Sequence, residues 1–221
     1  MPCRAGAETM VPRVIAIDGP AGSGKSTVSR AVADRLGLEY LDTGAMYRGV
    51  AFAVLERGID PGDTNAVAEL ARLIPLEVTG SVCVVDGVDA TMAIRGPQVT
   101  VAVSTVAANP EVRAEMVTRQ RTWVIERGGG VVEGRDIGSV VFPDAELKIY
   151  LTASPEVRAD RRASETQGAD TGAVAADIRR RDDADSTREA SPLVEAAGAV
   201  VVDTSGLTVD QAADVIEEML G

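Results

Sequence analysis

Gly19-Pro20-Ala21-Gly22-Ser23-Gly24-Lys25-Ser26-Thr27 follows directly on the apolar run Val14-Ile15-Ala16-Ile17 and Asp18. The stretch satisfies the pattern Gly-x4-Gly-Lys-Ser/Thr. It also stands in the context that pattern needs, with a buried-strand signal before it and a helical signal after it. Glycines let the backbone curl so that successive N–H groups point inward at an anion. The helix beginning near Lys25 brings the positive end of its dipole to the same point. Lys25 has the reach for β- and γ-phosphate oxygens, and the Ser26 hydroxyl can ligate Mg²⁺ bound to those oxygens. Gly19 to Thr27 therefore predict a nucleoside triphosphate site, with ATP and Mg²⁺ as its occupants.

The totals bound what else the chain can be. Its 221 residues suffice for one domain with a sizeable core, or for a core domain plus a small insert. A net charge of −12 argues against a broad nucleic-acid surface, which needs clustered positive charge. No apolar stretch approaches the roughly 20 residues of a membrane span. Residues 1–12 have no apolar segment of the secretory kind and are expected to form a short flexible leader. There is no histidine, which excludes imidazole bases and imidazole metal ligands. Cys3 and Cys83 form neither a disulfide framework nor a metal spacing, so the cytoplasm is the expected compartment. Lys25 and Lys148 are the only lysines, and one of them sits in the glycine-rich turn.

Short apolar runs alternate with helical patterns along most of the chain. Strands are predicted at 13–18, 39–41, 131–133, 147–151 and 199–202. Helices are predicted at 25–36, 45–56, 110–127, 155–166, 173–181 and 209–220. Such alternation predicts a three-layer α/β/α fold around a five-stranded parallel sheet. The rhythm breaks between Leu76 and Ile94, where the period is two and Thr79-Gly80 and Asp86-Gly87 give turn signals. This predicts a small antiparallel insert over roughly 75–95. Gln167 to Gly172 reads as a flexible linker between two arginine-bearing helices.

The distribution of arginine narrows the activity. No Asn-Lys-x-Asp guanine reader is present. The nearest approach to an apolar strand ending in a catalytic acid is Val131-Val132-Glu133, which is short and followed by Gly134. Tyr47, Arg48, Arg113, Arg135 and Asp136 fall beside strand ends, where α/β sheets bind ligands. Bidentate arginine suits phosphate. Arg158, Arg161 and Arg162 precede the linker, and Arg179, Arg180, Arg181 and Arg188 follow it. A helical lid carrying these arginines would surround a transferring phosphoryl group and exclude water. The interleaved acids Asp160, Glu165, Asp177, Asp182 and Asp183 support a salt-bridged surface helix pair equally well.

The motifs IDGPAGSGKST, LDTGAMYR, EGRDIGSVVFPDA and RDDADSTR together resemble the cytidylate kinase family in its bacterial long form, from Val14 to the C-terminus. The resemblance implies transfer of the γ-phosphoryl group of Mg·ATP to CMP or dCMP. It implies that Thr43, Ser104, Arg113 and Asp136 meet the cytosine or line its pocket. Tyr47, Arg48, Arg135 and Arg188 would hold the CMP phosphate, Arg181 and Asp185 the ribose hydroxyls, and Arg158 and Arg162 the ATP phosphates and the transition state. It further implies a kinase core over 13–221, with a monophosphate-binding insert at 62–106 and a lid region at 155–188. Ser26 stands where the family often has glycine, and Thr43 where it often has serine. Two other readings remain open: a small kinase acting on UMP, AMP or a non-nucleotide alcohol, and a non-catalytic nucleotide sensor. A monomer is expected.

Overall fold

The computed structural model describes residues 12–164 and 171–220. The leader, apart from Pro12, and the linker before Thr171 lie outside the described residues. The central strand is β1 (Arg13–Asp18), buried on both faces except at its first residue. The flanking strands are β2 (Tyr40–Asp42), β6 (Gly129–Gly134), β7 (Leu147–Thr152) and β8 (Val200–Asp203). They order β2-β6-β1-β7-β8, and every pairing is parallel. Ile15 lies between Val131 on one side and Leu147 on the other.

Strand alternation divides the core into two layers. Val14, Ala16, Leu41 and Val132 face one cluster, packed under α2 (Thr43–Glu56) and α5 (Pro110–Arg127). Ile15, Ile17, Val131, Ile149 and Leu151 face the other, under α1 (Lys25–Leu36) and α8 (Val209–Glu218). The chain is therefore a three-layer α/β/α fold with a five-stranded parallel sheet. Leu76–Thr79, Val82–Val85 and Val88–Asp89 form a separate antiparallel sheet, β3-β4-β5, packed on α2. Asp86 and Gly87 both have positive φ, 53° and 77°, as a two-residue hairpin turn requires.

Several elements depart from the sequence expectation. Helix α2 begins at Thr43 rather than Ala45, because the Asp42 carboxylate accepts the Ala45 N–H at 2.9 Å and caps the helix earlier. Strand β6 begins two residues early, at Gly129, because its glycines permit close approach. A Cβ on Gly129 would lie 2.4 Å from the Arg13 carbonyl oxygen. Helices α3 (Thr64–Leu73) and α4 (Pro97–Ala108) are additional. Helix α7 runs Thr171–Thr187, taking in the last two residues of the expected linker and reaching six residues beyond the expected end at Arg181. Helix α6 spans Pro155–Ser164, and residues 165 and 166 of the helix expected there lie outside the described residues. Residues Ile137–Val141 form one turn of π-helix.

Candidate active site

The glycine-rich turn leaves β1 under steric constraints that only glycine meets. At Gly19 (φ 148°) a Cβ would lie 2.0 Å from the Leu151 carbonyl oxygen, and at Gly22 (φ 75°) it would lie 2.8 Å from that of Arg158. Lys25 opens α1, is 9% exposed, and donates from Nζ to the Pro20 carbonyl oxygen at 2.8 Å. Burial pushes its amine down to about 7, with the nearby Arg135 adding to the effect. The Ser26 hydroxyl donates to Glu133 Oε1 at 2.7 Å. Burial raises the Glu133 carboxyl to about 7, with Asp42 adding to it. Glu133 Oε2 is buried and has no hydrogen-bond partner among the described residues.

Beside this turn, at the carboxyl ends of β1, β2 and β6, a cavity opens between the main sheet, α2, α4 and α7. Every residue expected to meet the monophosphate lines it, and so does Lys25. Its best-defined feature is a buried ion pair. Arg113, from the first turn of α5, donates from Nη2 to Asp136 Oδ2 at 2.5 Å, and the two side chains are 4% and 6% exposed. The same guanidinium donates to the Ala107 carbonyl oxygen at 3.2 Å and lies 5.3 Å from the centre of the Tyr47 ring. Arg188 approaches the other oxygen of Asp136 at 3.9 Å and lies 3.5 Å from Asp185. Arg135 bridges the halves of the site. Its Nε donates to Asp185 at 2.7 Å and its Nη1 to the Gly19 carbonyl oxygen at 2.6 Å.

Arg48 and Thr43 are engaged within the protein. Arg48 pairs with Asp42 at 2.8 Å, and the Thr43 hydroxyl donates to the Glu133 carbonyl oxygen at 2.6 Å. Ser104 projects from α4, and Arg181 from α7, where it pairs with Asp177 at 2.9 Å. Arg158 and Arg162 lie on α6, outside the cavity lining. Arg158 rests on the glycine-rich turn, donating to the Ala21 carbonyl oxygen at 3.1 Å. Arg161 is tied to Thr204 through its hydroxyl at 2.9 Å and its carbonyl at 2.7 Å. It therefore serves as an anchor for α6.

Three carboxylates were missed by sequence reasoning. Asp42 caps α2 and holds Arg48. Glu133 sits against Ser26, and its only signal was the short apolar strand ending in an acid. Asp18 ends β1 and accepts the N–H groups of Ile137 and Gly138 at 2.9 and 2.8 Å. It thereby holds the turn that carries Asp136. Burial raises the Asp18 carboxyl to about 6.

Among the described residues no cluster of three or more acidic or cysteine side chains could hold a metal ion alone. The Ser26 hydroxyl and the unpartnered Glu133 oxygen do form a hard-oxygen donor set of the kind Mg²⁺ takes together with phosphate oxygens. The residues present thus fit a magnesium–nucleotide complex.

A family model described as cytidylate kinase matches residues 15–221. A cytidylate kinase of Nocardia farcinica is 50% identical over 217 residues, covering 95% of this chain and 94% of that protein. One from Corynebacterium glutamicum is 50% identical over 209 residues, covering 91% of each. Among solved structures, an uncharacterized protein from Eubacterium ventriosum superimposes with a TM-score of 0.55 at 12% identity, covering 94% of this chain and 98% of that one.

Proposed function

The chain belongs to the cytidylate kinase family, and from that premise we propose how its cavity performs the family reaction. The protein is a nucleoside monophosphate kinase of pyrimidine nucleotide metabolism. It transfers the γ-phosphoryl group of ATP to CMP or dCMP, giving ADP and CDP or dCDP. The observation that carries the residue assignment is the buried Arg113–Asp136 pair in a cavity that opens beside the phosphate turn.

In this reading Asp136 accepts a hydrogen bond from the exocyclic amine of cytosine, and Arg113 donates to the ring carbonyl oxygen. Uracil would set a carbonyl against the carboxylate. One mispaired buried contact costs on the order of 1–3 kcal/mol. Thr43 and Ser104 complete the base pocket. Tyr47, Arg48, Arg135 and Arg188 receive the CMP phosphate, and Arg181 and Asp185 receive the ribose hydroxyls. For Arg48, Arg135 and Arg188 this means exchanging internal carboxylate or carbonyl partners for phosphate oxygens, a modest step because charge-assisted bonds are kept throughout.

Gly19 to Thr27 wrap the ATP phosphates, with Lys25, and Arg158 and Arg162 from α6, contributing their charge. Ser26 and Glu133 would hold Mg²⁺, which would supply charge neutralisation for the nucleotide phosphates. No covalent intermediate is needed. The protein aligns the CMP phosphate oxygen with the γ-phosphorus and stabilises the charge of the transferring group. The monophosphate insert is assigned to 62–106 and the lid to 155–188 within a core of 13–221. The enzyme works as a cytoplasmic monomer. Among the described residues the most exposed apolar side chains, Leu73, Met92, Val101 and Ile125, lie on separate elements and not along one helix face, which supports a monomer. No helix among the described residues is long and apolar enough to cross a membrane.

The test is ADP release with Mg·ATP and, in turn, CMP, dCMP, UMP and AMP. Turnover with CMP and dCMP and little with UMP or AMP is expected. ADP release indifferent to the monophosphate would contradict the acceptor site.

A further inference from the structure

Outside the acceptor cavity, a ring of three groups ties both lid helices to the glycine-rich turn. Asp182 on α7 accepts the Ala21 N–H through Oδ1 at 3.2 Å. Its other oxygen pairs with Nη1 of Arg158 on α6. That same Nη1 donates to the Ala21 carbonyl oxygen at 3.1 Å. Ala21 is thus held through both its N–H and its C=O by residues from two different helices. The packing around the ring is tight. The Arg158 and Asp182 side chains are 11% and 18% exposed. Arg158 Nε is buried and has no hydrogen-bond partner among the described residues.

A lid arginine left in solvent occupies many rotamers, and that freedom is lost whenever it meets a phosphate. Here the bond to Asp182 fixes the guanidinium against the phosphate turn. The ring also links α6 to α7 and both to the turn. Among the residues assigned above, Asp182 bonds to Arg158 and to the Ala21 N–H of the turn, and Arg158 is the one charged group of that set it pairs with.

We propose that Asp182 is a positioning residue for phosphoryl transfer, holding Arg158 on the Ala21 peptide so that the guanidinium meets the nucleotide phosphates already oriented. This inference rests on the assignment of Arg158 to the ATP phosphates.

The experiment is steady-state kinetics and thermal unfolding of the full chain carrying D182A, D182N, R158A and the D182A/R158A pair. D182A should lower kcat about 10- to 100-fold, the scale expected for a misplaced catalytic group. Its KM for CMP should stay within about twofold of wild type, since Asp182 lies outside the acceptor cavity. D182N keeps the side-chain shape and an acceptor for Ala21 but weakens the hold on Arg158, and should fall in the same direction. In the R158A background D182A should cost less than about twofold more, because the two residues act as one unit. Equal losses in both backgrounds would overturn the proposal. Wild-type kcat with tighter ATP binding would also overturn it, showing Asp182 to be an anion that phosphate displaces. Wild-type turnover in R158A would remove Arg158 from the phosphate site, and the proposal with it. If D182A does not fold, D182N alone and in the R158A background carries the same comparison.

Discussion

Arg113 and Asp136 come from different elements, 23 positions apart, and meet at 2.5 Å in a site where neither side chain is more than 6% exposed. Removing one member of a buried pair strands the charge of the other, at a cost of about 3–5 kcal/mol. Arg188 stands on the far side of Asp136 and offsets part of that. Arg113→Met should therefore destabilise the nucleotide-free protein by about 2–3 kcal/mol in denaturant unfolding. It should also raise KM for CMP far more than KM for ATP. Equal effects on both substrates would detach the pair from base recognition.

Asp18 offers two oxygens to two backbone donors, Ile137 and Gly138. Asp18→Asn replaces one acceptor by an amide donor and leaves a buried N–H unsatisfied. A stability loss of about 1–3 kcal/mol is expected. Because those donors follow Asp136 directly, the loss should come with a higher KM for CMP. A variant with wild-type stability would show that the turn holds itself.

Glu133 carries a carboxyl raised to about 7 by burial, well above its value in the unfolded chain. A raised carboxylate pKa contributes stability that is full below the unfolded value, near 4.5, and lost as pH rises through about 7. Glu133→Gln should thus raise Tm of the nucleotide-free protein at pH 8 relative to wild type, and much less at pH 5. The same variant should require more Mg²⁺ for half-maximal turnover. An unchanged Mg²⁺ dependence would remove Glu133 from the metal's surroundings.

Lys25 is shifted the other way, its amine lowered to about 7 by burial. A depressed amine pKa gives stability present above the unfolded value and lost as pH falls through about 7. Lys25→Met should therefore stabilise the nucleotide-free protein more at pH 6 than at pH 8.5. Phosphates beside the amine restore its proton, so ATP binding at pH 8 should be accompanied by proton uptake. Calorimetry in buffers of different ionisation enthalpy reads that uptake. Its persistence in Lys25→Met would assign the proton elsewhere.

How far the sequence could be read depended on how local each signal is. β1, the glycine-rich turn and α1 were legible residue by residue, because the apolar run, the motif and Gly37 are contiguous signals. The Asp86-Gly87 hairpin was legible for the same reason. Helix α4 was not, because Val99-Thr100-Val101 and Val103-Ser104-Thr105 are rich in residues that disfavour isolated helices. Its packing against α2 overrides that preference. The full length of α7 was hidden in a charged run whose helical period is masked by interleaved Arg and Asp. The arginines and Asp136 of the site were found through their motifs. Asp18 and Glu133 were not, because each acts on a group that only the sheet topology brings near. Asp42 acts locally, on Ala45 and Arg48, and was hidden because a helix start at Ala45 puts the cap at Gly44 instead.

The most direct test of the central claim, that Asp136 reads the exocyclic amine of cytosine, is kcat/KM for CMP and UMP in the wild type and in Asp136→Asn. An asparagine can turn its amide donor toward a uracil carbonyl, so the account predicts a fall for CMP, a maintained or increased value for UMP, and a preference ratio lowered by about 10- to 200-fold. An unchanged CMP-to-UMP ratio, whatever the absolute rates, would contradict it.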